Sequence, residues 1–233
     1  MVEFRLHRFD SLDSTNAKAR GFPIGSVIIA EEQTAGKGRF KREWSSANGG
    51  VYVSFVLGTQ IKNMKYLTLL AAVAAQHALE KACDISARIK WPNDLILDEK
   101  KLCGILTEGC FEGEEARMII GIGINTNNAL PADLKEIAVS LHDLRIKADN
   151  EGVIRELVDE FATLLEDSLD NGPAHVLGEW RRLSHTLGKD VRVVTQGKEI
   201  RGHAEDIDDD CNLIVVTAEG KKEKILEGDI FVL

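Results

Sequence analysis

Two β-branched runs, Val27-Ile28-Ile29-Ala30 and Val51-Tyr52-Val53-Ser54-Phe55-Val56-Leu57, read as buried strands, and the stretch between them has no hydrophobic period. A gap of about 20 residues without periodicity is long for a connection inside a compact domain, and loops of that length usually carry function. Its middle reads Gly36-Lys37-Gly38-Arg39-Phe40-Lys41-Arg42-Glu43-Trp44. Lys37, Arg39, Lys41 and Arg42 put four positive charges within six residues of a chain whose net charge is −9. Glycines let a backbone approach a ligand and aim N–H groups at it, and guanidinium groups grip phosphate or carboxylate oxygens two at a time. The pattern is not a dinucleotide fingerprint, because Lys41 stands where the third glycine would be. It is not a Walker loop either, because no Gly-Lys-Ser/Thr follows.

The bulk numbers narrow the class. The 233 residues suffice for one substantial core and a small second module. Hydrophobic residues at 44% and charged residues at 29% fit a globular chain rather than a disordered one. The longest apolar run, Leu69 to Ala75, is far too short to span a bilayer, and Met1-Val2-Glu3-Phe4-Arg5 does not read as a signal peptide. A cytoplasmic protein with free thiols is expected, since Cys83, Cys103, Cys110 and Cys211 form no C-x-x-C pair. The acidic balance argues against generic nucleic-acid binding, which needs a broad basic surface.

A second constellation is Lys90-Trp91-Pro92-Asn93-Asp94, followed by Lys101 in Lys100-Lys101-Leu102-Cys103-Gly104-Ile105. Pro92 stops the strand Arg88 to Trp91 and leaves Asn93-Asp94 at its end. Asp94 is a candidate ligand for a Mg²⁺ bridging phosphate oxygens, and Lys101 can neutralise a carboxylate or phosphate. Gly121-x-Gly123-x-Asn125 ends another strand, and Asp206-x-Asp208-x-Asp210 fails as a calcium loop because Cys211 and Thr217 stand where glycine and glutamate are needed.

Further elements follow from period and punctuation. Residues 4 to 9 read as a strand, and Ser14 caps a helix through Ala17-Lys18-Ala19-Arg20. Leu67 to Lys81 reads as a buried helix. Leu95 to Leu97, a turn at Asp98-Glu99-Lys100 and Leu102 to Leu106 read as a hairpin, and Met118 to Asn125 as a strand. Gly152 to Asp170 and Ala174 to Leu187 read as helices, parted by Asn171-Gly172-Pro173. After Gly188 the texture changes to five short β segments near 191–195, 200–204, 213–216, 224–226 and 230–233, the pattern of a small β-barrel of roughly 45 residues. The expected division is 1–187 and 188–233, with an α+β first domain whose mostly antiparallel sheet packs against helices.

Taken in order, Asp13-Ser14-Thr15-Asn16, Glu32 to Arg39, Arg42-Glu43-Trp44, Lys90 to Asp94, Lys100 to Glu108 and Gly121 to Asn125 make the chain resemble the biotin protein ligases. The five-strand tail resembles that family's SH3-like barrel. The resemblance implies a class II synthetase-like catalytic domain and two half-reactions. Biotin and ATP form biotinyl-5'-AMP, and the biotinyl group then passes to a lysine of a biotin carboxyl carrier protein. It implies a biotin site of Ser14, Thr15, Asn16, Gln33, Gly36, Lys37, Gly38, Arg39, Lys101 and Gly104. It implies ATP contacts at Arg39, Arg42, Trp44, Asn93, Asp94, Lys101 and Asn125, with Lys101, Arg39 and Asp94 catalytic and Asp94 toward Mg²⁺. The family often has arginine where Lys37 stands, and lysine keeps the charge but loses the fork. Some members carry an N-terminal DNA-binding domain. Ser14 falls near the start of this sequence, so neither that domain nor operator binding is expected. A homodimer is an expectation from the resemblance alone.

Two other readings compete. A lipoate or octanoate transferase would favour an apolar tunnel over the Ser-Thr-Asn cluster. A non-enzymatic adaptor would tolerate replacement of Lys101.

Overall fold

The computed structural model describes residues 2–58, 63–112, 115–195 and 197–233, with side chains throughout except at 110–112 and 115–116. The side chain of Cys110 and the turn residue Gln196 therefore lie outside the described residues. Cys83, Cys103 and Cys211 are free thiols, as expected.

Among the described residues, twelve strands fall into two sheets. The larger contains β1 (Arg5–Leu12), β2 (Ser26–Gln33), β3 (Val51–Leu57), β4 (Arg88–Lys90), β5 (Asp94–Leu97), β6 (Lys100–Glu112) and β7 (Glu115–Ile124), in the order β1-β2-β3-β7-β6-β5-β4. The β1–β2 pair is parallel and every other pair is antiparallel, the mixed sheet the sequence predicts. All seven residues of β3 are buried, because β3 lies inside the sheet with both faces covered. One face packs on α2 (Met64–Cys83), which α3 (Asn150–Asn171) and α4 (Ala174–Leu183) cover in turn. The short α1 (Thr15–Ala19) covers the other face, where Ala19, Ile28, Val56 and Ile119 form a small cluster of their own.

Helix boundaries follow their caps. The α2 helix begins before Leu67 because Asn63 Oδ1 accepts from the backbone N–H groups of Lys65 and Tyr66 at 3.0 and 3.1 Å. The α4 helix ends at Leu183, short of the expected Leu187. The four residues after it serve as stitching instead: His185 N–H donates to Ile89 O at 2.7 Å and Thr186 Oγ1 accepts from Trp91 N–H at 3.0 Å.

The five C-terminal segments are strands, as expected: β8 (Asp190–Thr195), β9 (Lys198–Ile207), β10 (Leu213–Val216), β11 (Lys222–Ile225) and β12 (Asp229–Val232). They form an antiparallel sheet in the order β11-β10-β9-β8-β12, with no pairing that closes it among the described residues. Its apolar face, with Val191, Val193, Leu213 and Val215, joins the same core as Phe161, Leu165 and Trp91. Trp91 Nε1 donates to Cys211 O at 3.2 Å across that junction.

Candidate active site

Strand register decides what the site is made of. Tyr52, Ser54 and Val56 of β3 stand opposite Gly123, Gly121 and Ile119 of β7, and Gly123 and Gly121 stand opposite Gly104 and Leu106 of β6. Paired residues share a face, so Gly104, Gly121 and Gly123 make a floor without side chains on the α1 side of the sheet. That absence is needed. A Cβ on Gly121 would lie 2.2 Å from Asn16 Oδ1, and one on Gly123 would lie 2.5 Å from Trp44 Nε1. A Cβ on Gly104 would meet Trp44 at 2.9 Å and the Lys101 side chain at 3.0 Å.

A bulge supplies the lysine. Leu95 pairs with Cys103 but Ile96 pairs with Lys101, so Leu102 is an extra residue on β6. Leu102 and Cys103 both enter the core, fully buried, and the alternation resets. Lys101 thereby returns to the face that carries Gly104 and its partner Asp94. In an unbulged strand of the same sequence Lys101 would share the face of Cys103 and point into the core. Its ammonium forms an ion pair with Asp94 Oδ1 at 2.7 Å and stands 5.2 Å from the centre of the Trp44 ring.

The floor and these side chains bound a cavity of about 590 Å³. One lobe is neutral and polar. Thr15 N–H and Oγ1 donate to Gln33 Oε1 at 2.8 and 3.0 Å, and Gln33 Nε2 donates to Ser46 Oγ at 2.8 Å. Ser54 Oγ is fully buried, 2.8 Å from Thr15 Oγ1 and 2.6 Å from Asn16 Oδ1. Asn16 Nδ2 donates to Glu108 Oε2 at 2.8 Å. Ser14 caps α1 by accepting from Ala17 N–H at 3.4 Å, which sets Thr15 and Asn16 at the helix start.

The other lobe is charged. Arg39 donates to Asn93 Oδ1 at 3.2 Å, and Asn93 is fixed by its own bond to Ile105 O at 2.9 Å. Burial lowers the pKa of the Arg39 guanidinium, while Asp94, Asp229 and Glu227 oppose the shift. Burial likewise lowers Lys90, with Asp94 the strongest of the charges that oppose the shift. Asn125, 2% exposed, closes the far side.

The cationic loop has a definite form. Gly38 N–H donates to Arg42 O at 2.8 Å, Trp44 N–H to Gly36 O at 3.0 Å and Arg42 N–H to Arg39 O at 3.1 Å. It is a hairpin with Phe40 and Lys41 at its tip. The Gly38 N–H is thus used inside the loop rather than held out to an anion. Gly36 is required by packing, since a Cβ there would lie 2.5 Å from Ser46 Oγ and 2.6 Å from Trp44 O. Arg42 reaches the smaller sheet instead and makes a two-pronged pair with Asp229 of β12, at 3.0 and 2.5 Å.

Of the predicted residues, Ser14, Thr15, Asn16, Gln33, Lys37, Gly38, Arg39, Arg42, Trp44, Asn93, Asp94, Lys101, Gly104 and Asn125 line this one cavity; Gly36 shapes the hairpin behind it. Sequence reasoning missed Ser54, Ser46, Glu108 and Asp229 as parts of the site. Ser54 carried a signal, being the one polar residue inside an apolar strand. Asp229 carried none, lying far away in the chain. Among the described residues no three His, Cys, Asp or Glu side chains gather as a metal site. The Asp94 carboxylate beside Lys101 fits a Mg²⁺ that arrives on phosphates, which takes one or two carboxylates and keeps waters.

A cavity with neutral hydrogen-bonding groups at one end and cations at the other suits the joining of a carboxylate to a nucleotide, the work of adenylate-forming ligases. The profile of the Biotin/lipoate A/B protein ligase family matches residues 9–125, and that of the Biotin protein ligase C terminal domain matches residues 186–233. The chain is 39% identical over 234 residues to the bifunctional ligase/repressor BirA of Bacillus subtilis, covering 95% of this chain and 72% of that protein. It is 33% identical over 224 residues to the biotin–[acetyl-CoA-carboxylase] ligase of Paracoccus denitrificans, covering 90% and 93%. The structure of the Aquifex aeolicus biotin protein ligase in complex with biotin and ATP superposes with a TM-score of 0.88 at 27% identity, over 98% of each chain. The chain belongs to the biotin/lipoate A/B protein ligase family, on its biotin protein ligase branch.

Proposed function

We propose that this protein activates biotin with ATP and passes the biotinyl group to one lysine of a biotin carboxyl carrier protein. The observation that carries the reading is the division of one cavity into a neutral lobe and a cationic lobe that meet at Lys101. The ureido ring of biotin offers one carbonyl and two N–H groups, which Thr15, Asn16 and Gln33 can match. A dithiolane or a plain acyl chain offers no hydrogen-bonding groups for these side chains to match, which disfavours lipoate and octanoate.

The biotin carboxylate oxygen attacks the α-phosphorus, the bond from that phosphorus to the bridging oxygen breaks, and pyrophosphate leaves. Lys101 exchanges its Asp94 partner for the carboxylate and the developing charge on phosphorus. Arg39 and Lys37 screen the phosphates, Asn93 keeps Arg39 aimed, Trp44 packs on a ring, and Asn125 reaches adenine. A Mg²⁺ on the phosphates would neutralise charge, with Asp94 its protein ligand. The acceptor amine then attacks the acyl carbon, AMP leaves and the amine gives up a proton. Water must be excluded between the two steps, and the hairpin is placed to do that.

We also assign catalysis to residues 1–187 and a supporting role to 188–233. The −9 net charge supports the absence of nucleic-acid binding. No helix among the described residues is long and apolar enough to cross a membrane. A cytoplasmic location and a homodimer complete the reading.

Pyrophosphate exchange into ATP, with biotin, lipoate or octanoate supplied in turn, tests it. Exchange with biotin alone is the expected result. Exchange with lipoate alone, or with none of the three, overturns the reading.

A further inference from the structure

The tip of the cationic hairpin is built against its own preferences. Phe40 and Lys41 have φ of +55° and +60°, and with the Arg42 N–H to Arg39 O bond they form a two-residue turn of the mirror-image type I class. That turn favours Asn-Gly, since both central residues occupy the left-handed region. A phenylalanine and a lysine there are strained, and such strain persists only where surrounding contacts hold it.

The contacts that hold it are specific. Both neighbouring guanidinium groups stand over the Phe40 ring, Arg39 at 4.8 Å and Arg42 at 5.6 Å from its centre. Arg39 runs inward to Asn93. Arg42 runs outward to both oxygens of Asp229, the first residue of β12. The turn therefore hangs between two anchors, one on the catalytic sheet and one on the C-terminal sheet. The Arg42–Asp229 pair is partly exposed, and exposed pairs are usually worth little. Its two-pronged geometry is the exception that makes such a pair count. The Arg42 hydrogen bond lowers the Asp229 pKa, so the anchor stays ionised at neutral pH.

We propose that Asp229 is a positioning residue of the C-terminal sheet: by gripping Arg42 it holds the strained hairpin over the cavity, so that biotinyl-5'-AMP is kept in and water is kept out. This gives the C-terminal sheet a role in the first half-reaction, and it rests on the function proposed above. Asp229 takes two of the five guanidinium N–H groups, so Arg42 retains donors for a phosphate.

Two measurements separate the latch from the chemistry. The first needs no substrate. Trypsin cleavage after Arg39, Lys41 and Arg42 in the full chain reports how often the hairpin opens. Asp229→Asn is expected to speed cleavage about fivefold, the factor set by losing one well-formed charged pair. Asp229→Glu is expected to restore protection, and Phe40→Asn with Lys41→Gly, which relieves the turn, is expected to suppress the Asp229→Asn defect at Arg39 and Arg42, the two cleavage sites that variant keeps. The second measurement follows release of preformed biotinyl-5'-AMP. Asp229→Asn should release it several-fold faster with the KM for biotin within twofold of wild type. Unchanged cleavage in Asp229→Asn, at an unchanged melting temperature, overturns the latch whatever the enzyme's substrate is. Faster cleavage with unchanged release overturns the retention role. If wild type forms no adenylate at all, the proposed function falls while the cleavage result still reads the latch.

Discussion

Gly121→Ala puts the division of the cavity to a direct test. The added Cβ would lie 2.2 Å from Asn16 Oδ1 and 2.9 Å from its Cγ. An ordinary contact needs a good deal more, so Asn16 must retreat by about 1 Å. It has little room, because Ser54 holds its Oδ1 at 2.6 Å, Glu108 holds its Nδ2 at 2.8 Å, and Leu106 O adds a contact at 3.3 Å. Rotating the amide by a half turn does not help, since it would set the carbonyl against the Glu108 carboxylate. Losing one or two of these bonds costs about 1–3 kcal/mol, a factor of roughly 5 to 150. The neutral lobe should absorb that loss. The KM for biotin in pyrophosphate exchange is expected to rise within that range, while the KM for ATP moves less than twofold. The melting temperature should fall by only a few degrees, about 2–4 °C per kcal/mol for a chain of this size. Gly178→Ala is the control, because a Cβ on that exposed helical glycine meets nothing within 4 Å. It should leave both KM values alone and raise stability by up to about 1 kcal/mol. A rise in the KM for ATP with biotin unaffected would refute the placement of biotin over Gly121.

Three further outcomes are expected. Lys101→Ala should slow adenylate formation at least about 100-fold, the scale of losing one charge-stabilising donor; single-turnover adenylation at the wild-type rate would remove Lys101 from the chemistry. Arg39→Gly cuts the bond to Asn93 and one of the two cation contacts of the Phe40 ring, so adenylate should escape faster and label unrelated lysines. Bystander labelling at wild-type levels, with release no faster, would show that the hairpin does not close the site. Burial alone would raise the pKa of Asp208, but Lys224 at 2.7 Å and the donors of Asn212 more than offset it and hold the carboxyl at about 2. Its folded value lies below the unfolded one, so its contribution is complete above the ordinary value near 3.8 and is lost as pH falls from about 4 to 2. Asp208→Asn should lower the melting temperature at pH 7 and flatten its fall between those pH values; equal slopes for mutant and wild type would deny Asp208 that role.

What could be read in the chain was whatever sits in one contiguous stretch. The β-branched run of β3, the alanine-rich α2 and the turn-punctuated tail each declare themselves through period and composition. The site residues cluster in motifs for the same reason: a strand end or a loop delivers several neighbours at once. What the sequence did not declare depends on register and on distance. The bulge at Leu102 turns Lys101 toward Asp94, yet its local signal is only two adjacent apolar residues, Leu102 and Cys103. Gly104, Gly121 and Gly123 look like a strand sequence with weak spots until pairing sets them side by side. The acidic turn at 205–210 reads as a solvated loop, whereas Asp208 organises it by accepting from the backbone N–H groups of Asp210 and Asn212.

The Arg42–Asp229 contact shows why such long-range features matter to function. A loop that must admit substrate and then exclude water cannot be rigid by its own sequence. A well-formed Asn-Gly turn would favour the closed hairpin whether or not anything held it. Phe40-Lys41 instead makes the closed form conditional on contacts made elsewhere. Those contacts come from two separate parts of the fold, Asn93 just before β5 and Asp229 at the start of β12. Closure then reports that both are in place and that the C-terminal sheet is docked. The consequence is measurable: weakening the docking at a bond the hairpin does not share, as Trp91→Phe does by removing the bond to Cys211 O, should loosen the hairpin as well as lower the melting temperature. A Trp91→Phe protein that is less stable, yet keeps wild-type protection of Arg39 and Arg42 from trypsin below its melting range, would show that docking and closure are independent.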